Sequence, residues 1–250
     1  MPDPATPRPP GKRGRAAGFN TPNRFQPLHL EPDPAEPGEE GFQERVPTSY
    51  LIDASRSILA ENDSPDVGFR FSLNPYRGCE HGCVYCYARP THEYLGFSAG
   101  LDFETKILVK EQAPELLEAA LRKRSWQPQV VALSGNTDCY QPVERRLQLT
   151  RRCLEVFLRF RNPVSLITKN HLVTRDLDIL ESMAALDLVH VTLSITSLDR
   201  RLTSAMEPRT SRPERRLQAL EELSRAGVPA GVNVAPLIPG LNDSEAPAIL

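Results

Sequence analysis

The sequence predicts an α/β fold with a parallel sheet, on three observations. Short apolar or β-branched runs, each closed by glycine or a polar residue, recur from residue 71 onward; stretches with helical apolar spacing separate them; and the alternation continues to the end of the 250-residue chain. Crossovers from strand through helix to strand are right-handed and make neighbouring strands parallel, so helices cover both faces of the sheet.

The elements follow in order. A first strand is expected just before Cys79, and residues 115–124 (ELLEAALRKR) have the apolar spacing of a helix. VVALSG at 130–135 is short, β-branched and stopped by glycine, as a buried strand is. A helix is expected over 144–161, with Leu147, Leu154, Phe157 and Leu158 on one face and arginines on another. VSLIT at 164–168 reads as strand, 172–186 as helix, LVHVTLSI at 188–195 as strand, 213–226 as helix and 230–237 as strand. Asn242, Asp243 and Ser244 are N-cap candidates for one more helix, whose first turn tolerates Pro247. Five strands result. A domain boundary inside the opening turns of a helix is not expected, so the domain is expected to continue past Leu250 with at least one more strand.

Composition sets the organisation. With 40 % apolar and 25 % charged residues the chain can bury one main core. Ten of the 24 prolines lie between Pro2 and Pro37, so residues 1–45 read as a mobile Pro-rich arm carrying a basic cluster at Lys12, Arg13 and Arg15. Residues 46–70 read as an irregular lead-in and 71–250 as the core domain. No apolar run approaches the roughly 20 residues that cross a bilayer, and the start, Met-Pro-Asp-Pro, is not a secretory leader. A formal net charge of −2 gives no global attraction to nucleic acid. Five cysteines, an odd number with three close together, suit free or metal-bound thiols in a reducing, cytoplasmic setting.

The chemistry concentrates in RGCEHGCVYCYAR, residues 77–89, where Cys79, Cys83 and Cys86 form C-x3-C-x2-C. Closed zinc sites take four ligands, and iron–sulfur clusters are commonly held by four cysteines. Only three are present here. His81 lies between two of them, and Cys139 and Cys153 are remote. Three thiolates on a cluster leave one iron open to a small molecule; a structural metal–thiolate loop completed by folding is the alternative.

With Tyr85 directly before the last cysteine, the motif resembles the signature of radical S-adenosylmethionine (SAM) enzymes. The strings SLNPYRGCEHGCVYCYARPTHEYLG (72–96), SGNTDCYQPVE (134–144) and ITKN (167–170) are similar to the branch that contains spore photoproduct lyase and DNA repair photolyase-like proteins. The resemblance implies a partial (β/α) barrel of the radical SAM type, truncated here before its last strand. It also implies a [4Fe–4S] cluster on Cys79, Cys83 and Cys86, with S-adenosyl-L-methionine on the open iron and an electron donor such as flavodoxin or ferredoxin. Reductive cleavage of SAM to a 5′-deoxyadenosyl radical is the implied reaction, and DNA photoproducts are the implied substrate of a lyase of this branch. A radical SAM enzyme with another substrate is one alternative, and a nucleic-acid-binding module with a structural thiol loop is another.

In a parallel sheet, ligands meet the carboxyl ends of the strands. There, Asn136, Thr137 and Asp138 offer acceptors for a ligand ammonium, against a reading as an ordinary capping turn. The resemblance places Lys169 at the methionine carboxylate, Ser194, Asn233 and Ala235 at ribose, methionine and adenine, and the Tyr85 backbone at adenine. No catalytic residue is assigned; Cys139, where relatives usually have proline, is either a hydrogen-atom donor facing the cavity or a buried spectator thiol. His81 and His92 are expected to orient the cysteine loop, and His190 to be packed or hydrogen-bonded. Arg200, Arg201, Arg209, Arg212, Arg215 and Arg216 read either as a phosphate-gripping patch or as a helix face laced with salt bridges.

Overall fold

In chain order the strands are β1 (Ser49–Ile52), β2 (Leu59–Glu61), β3 (Phe71–Leu73), β4 (Tyr76–Arg77), β5 (Lys106–Val109), β6 (Val131–Leu133), β7 (Val164–Thr168), β8 (Val189–Ser194) and β9 (Ala230–Asn233). The computed structural model describes residues 12, 14–26 and 46–250. The main sheet has the order β2-β3-β6-β7-β8-β9; β3, β6, β7, β8 and β9 run parallel, and β2 is antiparallel at one edge. The five expected strands are therefore present and neighbour one another in sequence order, as short βαβ crossovers require.

Register explains the core. Leu73 pairs with Leu133, Leu133 with Leu166, and Leu166 with Val191, so one row of apolar side chains crosses four strands, each fully buried. Helices α2 (Ala113–Leu121), α4 (Leu149–Arg159), α5 (Leu177–Ala184) and α7 (Pro213–Arg225) contribute to the same core, with Leu117, Leu154, Phe157, Leu180 and Leu223 at its centre. The remaining helices are short: α1 (Asp102–Thr105), α3 (Glu144–Leu147), α6 (Arg200–Met206) and α8 (Ala246–Ile249). No helix of the described residues is long and apolar enough to cross a membrane.

Several boundaries differ from the pattern-based expectation. The helix expected over 144–161 is two helices, because the Glu144 carboxylate accepts the Thr150 and Arg151 N–H groups and caps α4 while Gln148 turns left-handed at φ 52°. The helix expected from 172 opens as a 3-10 turn, His171–Asp176, in which Asn170 accepts from Leu172 N. β9 ends at Asn233, short of Pro236, which has no N–H to give a ladder. Residues 46–70 are largely irregular but hold two short strands, β1 and β2. β1 pairs in parallel with β5 in a second sheet of order β1-β5-β4, and because all four β1 residues are exposed it carries no hydrophobic alternation to read. Residues 14–26, expected to be part of a mobile arm, lie against the domain, where Arg15 and Asn23 are buried through hydrogen bonds rather than apolar contact. The rest of that arm lies outside the described residues.

Candidate functional site

The cysteine loop follows β4 and is built on two left-handed glycines, Gly78 (φ 78°) and Gly82 (φ 64°). Gly82 is needed for space as well as for conformation, since a Cβ there would lie 2.6 Å from Glu104 Oε2. Backbone bonds set the path: Cys79 N donates to Phe103 O (2.9 Å), Cys86 N to Cys83 O (3.3 Å) and Val84 N to Met206 O (2.9 Å). Side chains do the rest. Arg89 Nε and Nη2 both donate to Cys83 O, and Gln141 accepts Glu80 N (3.0 Å) while donating to Gly78 O (3.2 Å). Cys79 and Cys83 are buried and Cys86 half-buried, all as free thiols. Burial pushes all three thiols up, Cys83 to about 12, and a cation held between them would offset that cost of forming thiolates.

The three thiols line a cavity of about 340 Å³ whose opposite wall is the carboxyl ends of β6, β7, β8 and β9. Tyr85, Asn136, Asp138, Lys169, Ser194, Asn233 and Ala235 line the same cavity. Among the expected ligand contacts Thr137 is the exception. Its N–H donates to Asn74 Oδ1 (3.2 Å) and its hydroxyl to Tyr76 O (2.7 Å), so the side chain faces the cysteine loop's approach and not the cavity. Asn74, buried and also accepting Asn136 N (2.9 Å), holds this turn.

Asp138 borders the cavity, and its carboxylate already has polar partners within the protein. It accepts from Thr168 Oγ1 (2.7 Å), Tyr140 N (2.8 Å) and Lys169 N (2.8 Å), and His81 Nδ1 lies 3.3 Å away. Burial pushes the carboxyl up, but His81 and the N–H and O–H donors outweigh it and hold the group below its ordinary value. His81, buried as expected of an orienting group, has a defined tautomer. Asn170 Oδ1 accepts from Leu172 N and Ser211 Oγ, so Asn170 Nδ2 donates to His81 Nε2 (3.2 Å), while Nδ1 lies 3.3 Å from the Asp138 carboxylate without hydrogen-bond geometry. His92 is buried too and donates through Nε2 to Lys106 O (3.0 Å). His190, by contrast, is exposed on β8. Cys139 is fully buried in the main core and does not line the cavity, which is the spectator arrangement.

Beneath the cavity lies a residue that pattern reading missed. Glu207, fully buried, accepts from Tyr85 OH, from Thr196 Oγ1 (2.6 Å) and from Arg216, and its carboxylate lies 3.5 Å from Lys169 Nζ. Burial pushes its carboxyl up, but Arg216, Lys169 and the two hydroxyl donors outweigh it and hold the group at about 2. Lys169 Nζ also donates to Ser194 Oγ and stands 5.5 Å from the Tyr85 ring centre, so the ammonium is fixed at the cavity wall. The arginine run is not one patch. Arg216 is fully buried and also donates to Ser194 O (2.9 Å), Arg209 meets Glu80 (3.2 Å) and Arg200 meets Glu214 (2.5 Å). The run of Arg and Glu was the available signal for an internal pair, but a buried one and a surface one look alike in sequence.

A closed zinc site needs four ligands converging on one point. The three thiols that line the cavity are one donor short of that set, and iron–sulfur clusters are held by cysteine thiolates. A model of the radical SAM superfamily matches residues 73–250, which takes in the whole cysteine loop and every strand end around the cavity. The chain belongs to the radical SAM superfamily. An uncharacterized protein of Mycobacterium tuberculosis is 40 % identical to this radical SAM chain over 176 residues, 70 % of this chain and 52 % of that protein. An uncharacterized protein of Methanocaldococcus jannaschii is 30 % identical over 184 residues, 74 % of this chain and 66 % of that one. The chain thus spans about half the length of the mycobacterial relative. Among solved structures, spore photoproduct lyase complexed with dinucleoside spore photoproduct has a TM-score of 0.55 at 18 % identity, covering 76 % of this chain and 52 % of that one. That likeness is one of fold, and it agrees with a partial radical SAM barrel.

Proposed function

We propose that this radical SAM protein carries a [4Fe–4S] cluster on Cys79, Cys83 and Cys86, cleaves SAM reductively, and acts as a lyase on DNA photoproducts in the cytoplasm. The observation that carries the reading is that all three thiols share one cavity with the polar strand ends. When bound, such a cluster passes an electron from a flavodoxin- or ferredoxin-type donor to the SAM sulfonium, giving methionine and a 5′-deoxyadenosyl radical. The chain's own residues bind and orient. The Lys169 ammonium, steadied by Ser194 Oγ and Glu207, presents a fixed positive charge for the ligand carboxylate. Asn136 and the Asn233–Ala235 segment offer the remaining strand-end contacts, and Tyr85, joined directly to Cys86, lines the same cavity. The photoproduct substrate is supported by the resemblance of the cysteine-loop, 134–144 and 167–170 strings and by the fold likeness to spore photoproduct lyase.

Anaerobic reconstitution tests the reading. Iron and sulfide should bind with an electron paramagnetic resonance signal on reduction, and 5′-deoxyadenosine should form from SAM. Cys79→Ala, Cys83→Ala and Cys86→Ala should each lose the signal, while Cys153→Ala, fully buried in the core, should keep it. Uptake of zinc alone would overturn the cluster assignment. Formation of 5′-deoxyadenosine with no turnover of dinucleoside spore photoproduct would move the substrate outside photoproduct DNA and leave the radical chemistry in place.

A further inference from the structure

Arg15 lies in the stretch whose composition reads as a solvated arm, yet its guanidinium is buried. Nη1 donates to Glu104 O (2.7 Å), and Nη2 donates to Val46 O (3.1 Å) and Thr48 Oγ1 (2.7 Å). Two routes lead from these contacts to the cysteine loop. On one side, the fully buried Glu104 carboxylate accepts the Ala16 and Ala17 N–H groups (3.1 and 2.9 Å) and Arg89 Nη2 (2.6 Å), fills the space left by the missing side chain of Gly82, and so touches the turn between Cys79 and Cys83. Arg89 then grips Cys83 O through two N–H groups. On the other side, Thr48 Oγ1 donates to Glu80 Oε1 (3.2 Å), and Glu80 directly follows Cys79. Further along, Asn23 Nδ2 donates to Glu93 O and Phe97 O (both 2.9 Å) and pins the far end of the same stretch.

We propose that Arg15 is a positioning residue for the cysteine loop, and that residues 14–26 form a strap which holds the loop through Glu104 on one flank and Thr48–Glu80 on the other. A guanidinium is suited to this: its planar fork serves several acceptors at once, which an ammonium cannot do in the same geometry. Each acceptor left without its donor in a buried setting is a loss, so the strap and the loop are stable together and loosen together. The proposal rests on the reading of the three thiols as cluster ligands.

The test uses the full 250-residue chain with Arg15→Ala and, separately, Asn23→Ala, which touches neither Glu104 nor the cysteine loop. In reconstituted protein, iron release to a chelator should be about tenfold faster or more in both variants, with an unchanged thermal melt of the sheet by circular dichroism. In apoprotein, hydrogen–deuterium exchange should show lost protection at the Cys79, Gly82 and Cys86 amides in both. Arg225→Ala, which removes an exposed pair with Glu221 on α7 far from the strap in sequence, should leave both readouts as in wild type. Iron release and exchange equal to wild type in Arg15→Ala and Asn23→Ala would overturn the assignment. Should Arg15→Ala fail to fold, Asn23→Ala decides by the same two readouts. If wild type takes up no iron, the ligand reading of the thiols falls, while amide exchange in the apoprotein still decides whether the strap holds the loop.

Discussion

Leu73, Leu133, Leu166 and Val191 lie side by side across four strands and are buried to the last atom; at the cysteine loop the equally buried side chains are Glu80, His81, Glu104 and Gln141. The two regions meet at one cavity and are held by different forces. Apolar burial is non-directional, scales with area, and tolerates exchange among residues of similar volume. The loop's network is directional: each carboxylate or amide has named donors, and removing one partner leaves another polar group unpaired away from water. Damage to the sheet should therefore lower stability without pH dependence, and damage to the polar floor should lower it with a pH signature.

The largest expected effect is in the sheet. Leu166→Ala removes a fully buried side chain from the middle of the row and should destabilise the apoprotein by about 4 kcal/mol, equally at pH 5 and pH 7, measured by urea unfolding. A clear pH dependence of that loss would break the contrast.

Next comes the polar floor. Glu207→Gln leaves the buried Arg216 without its counter-charge and should cost about 3 kcal/mol at neutral pH. The folded carboxyl sits at about 2 against an ordinary 4.5, so its contribution is complete above about pH 4.5 and is lost as the pH falls toward about 2. Unfolding curves of wild type and variant should accordingly converge on acidification. Curves that stay parallel down to acid pH would show that Glu207 acts by shape and not by charge.

The smallest expected effect sharpens the contrast from outside both regions. Arg225 and Glu221 pair across one turn of α7 with most of both side chains in solvent, and Arg225→Ala should change stability by less than about 0.5 kcal/mol.

How far each region was legible follows from the same difference in forces. β7 coincides with the expected 164–168, and β6 lies within the expected 130–135, because buried strands announce themselves by apolar runs and by the polar residues that stop them. The cavity wall was legible for the same reason: Ser194 and Asn233 end strands and Lys169 directly follows one. That Thr137 lies off the cavity lining and that the Asp138 carboxylate already has donors were not legible, because sequence does not tell which way a turn's side chains point or which groups donate to them. Glu207 and Arg216 looked like members of a surface charge run, and Arg15 like part of a solvated arm, since nothing local marks a charge as buried.

What the sequence alone determined is the parallel character of the sheet and the three-thiol motif, together with the strand ends that must face it, since these depend on periodicity and on spacing within one segment. What only the tertiary structure decided is how the cysteine loop is held: Arg15 meets Glu104 across 89 residues and Tyr85 meets Glu207 across 122. Hydrogen bonds between such distant groups have no period and no local signature, because their partners are chosen by the folded geometry that apolar burial has first put in place.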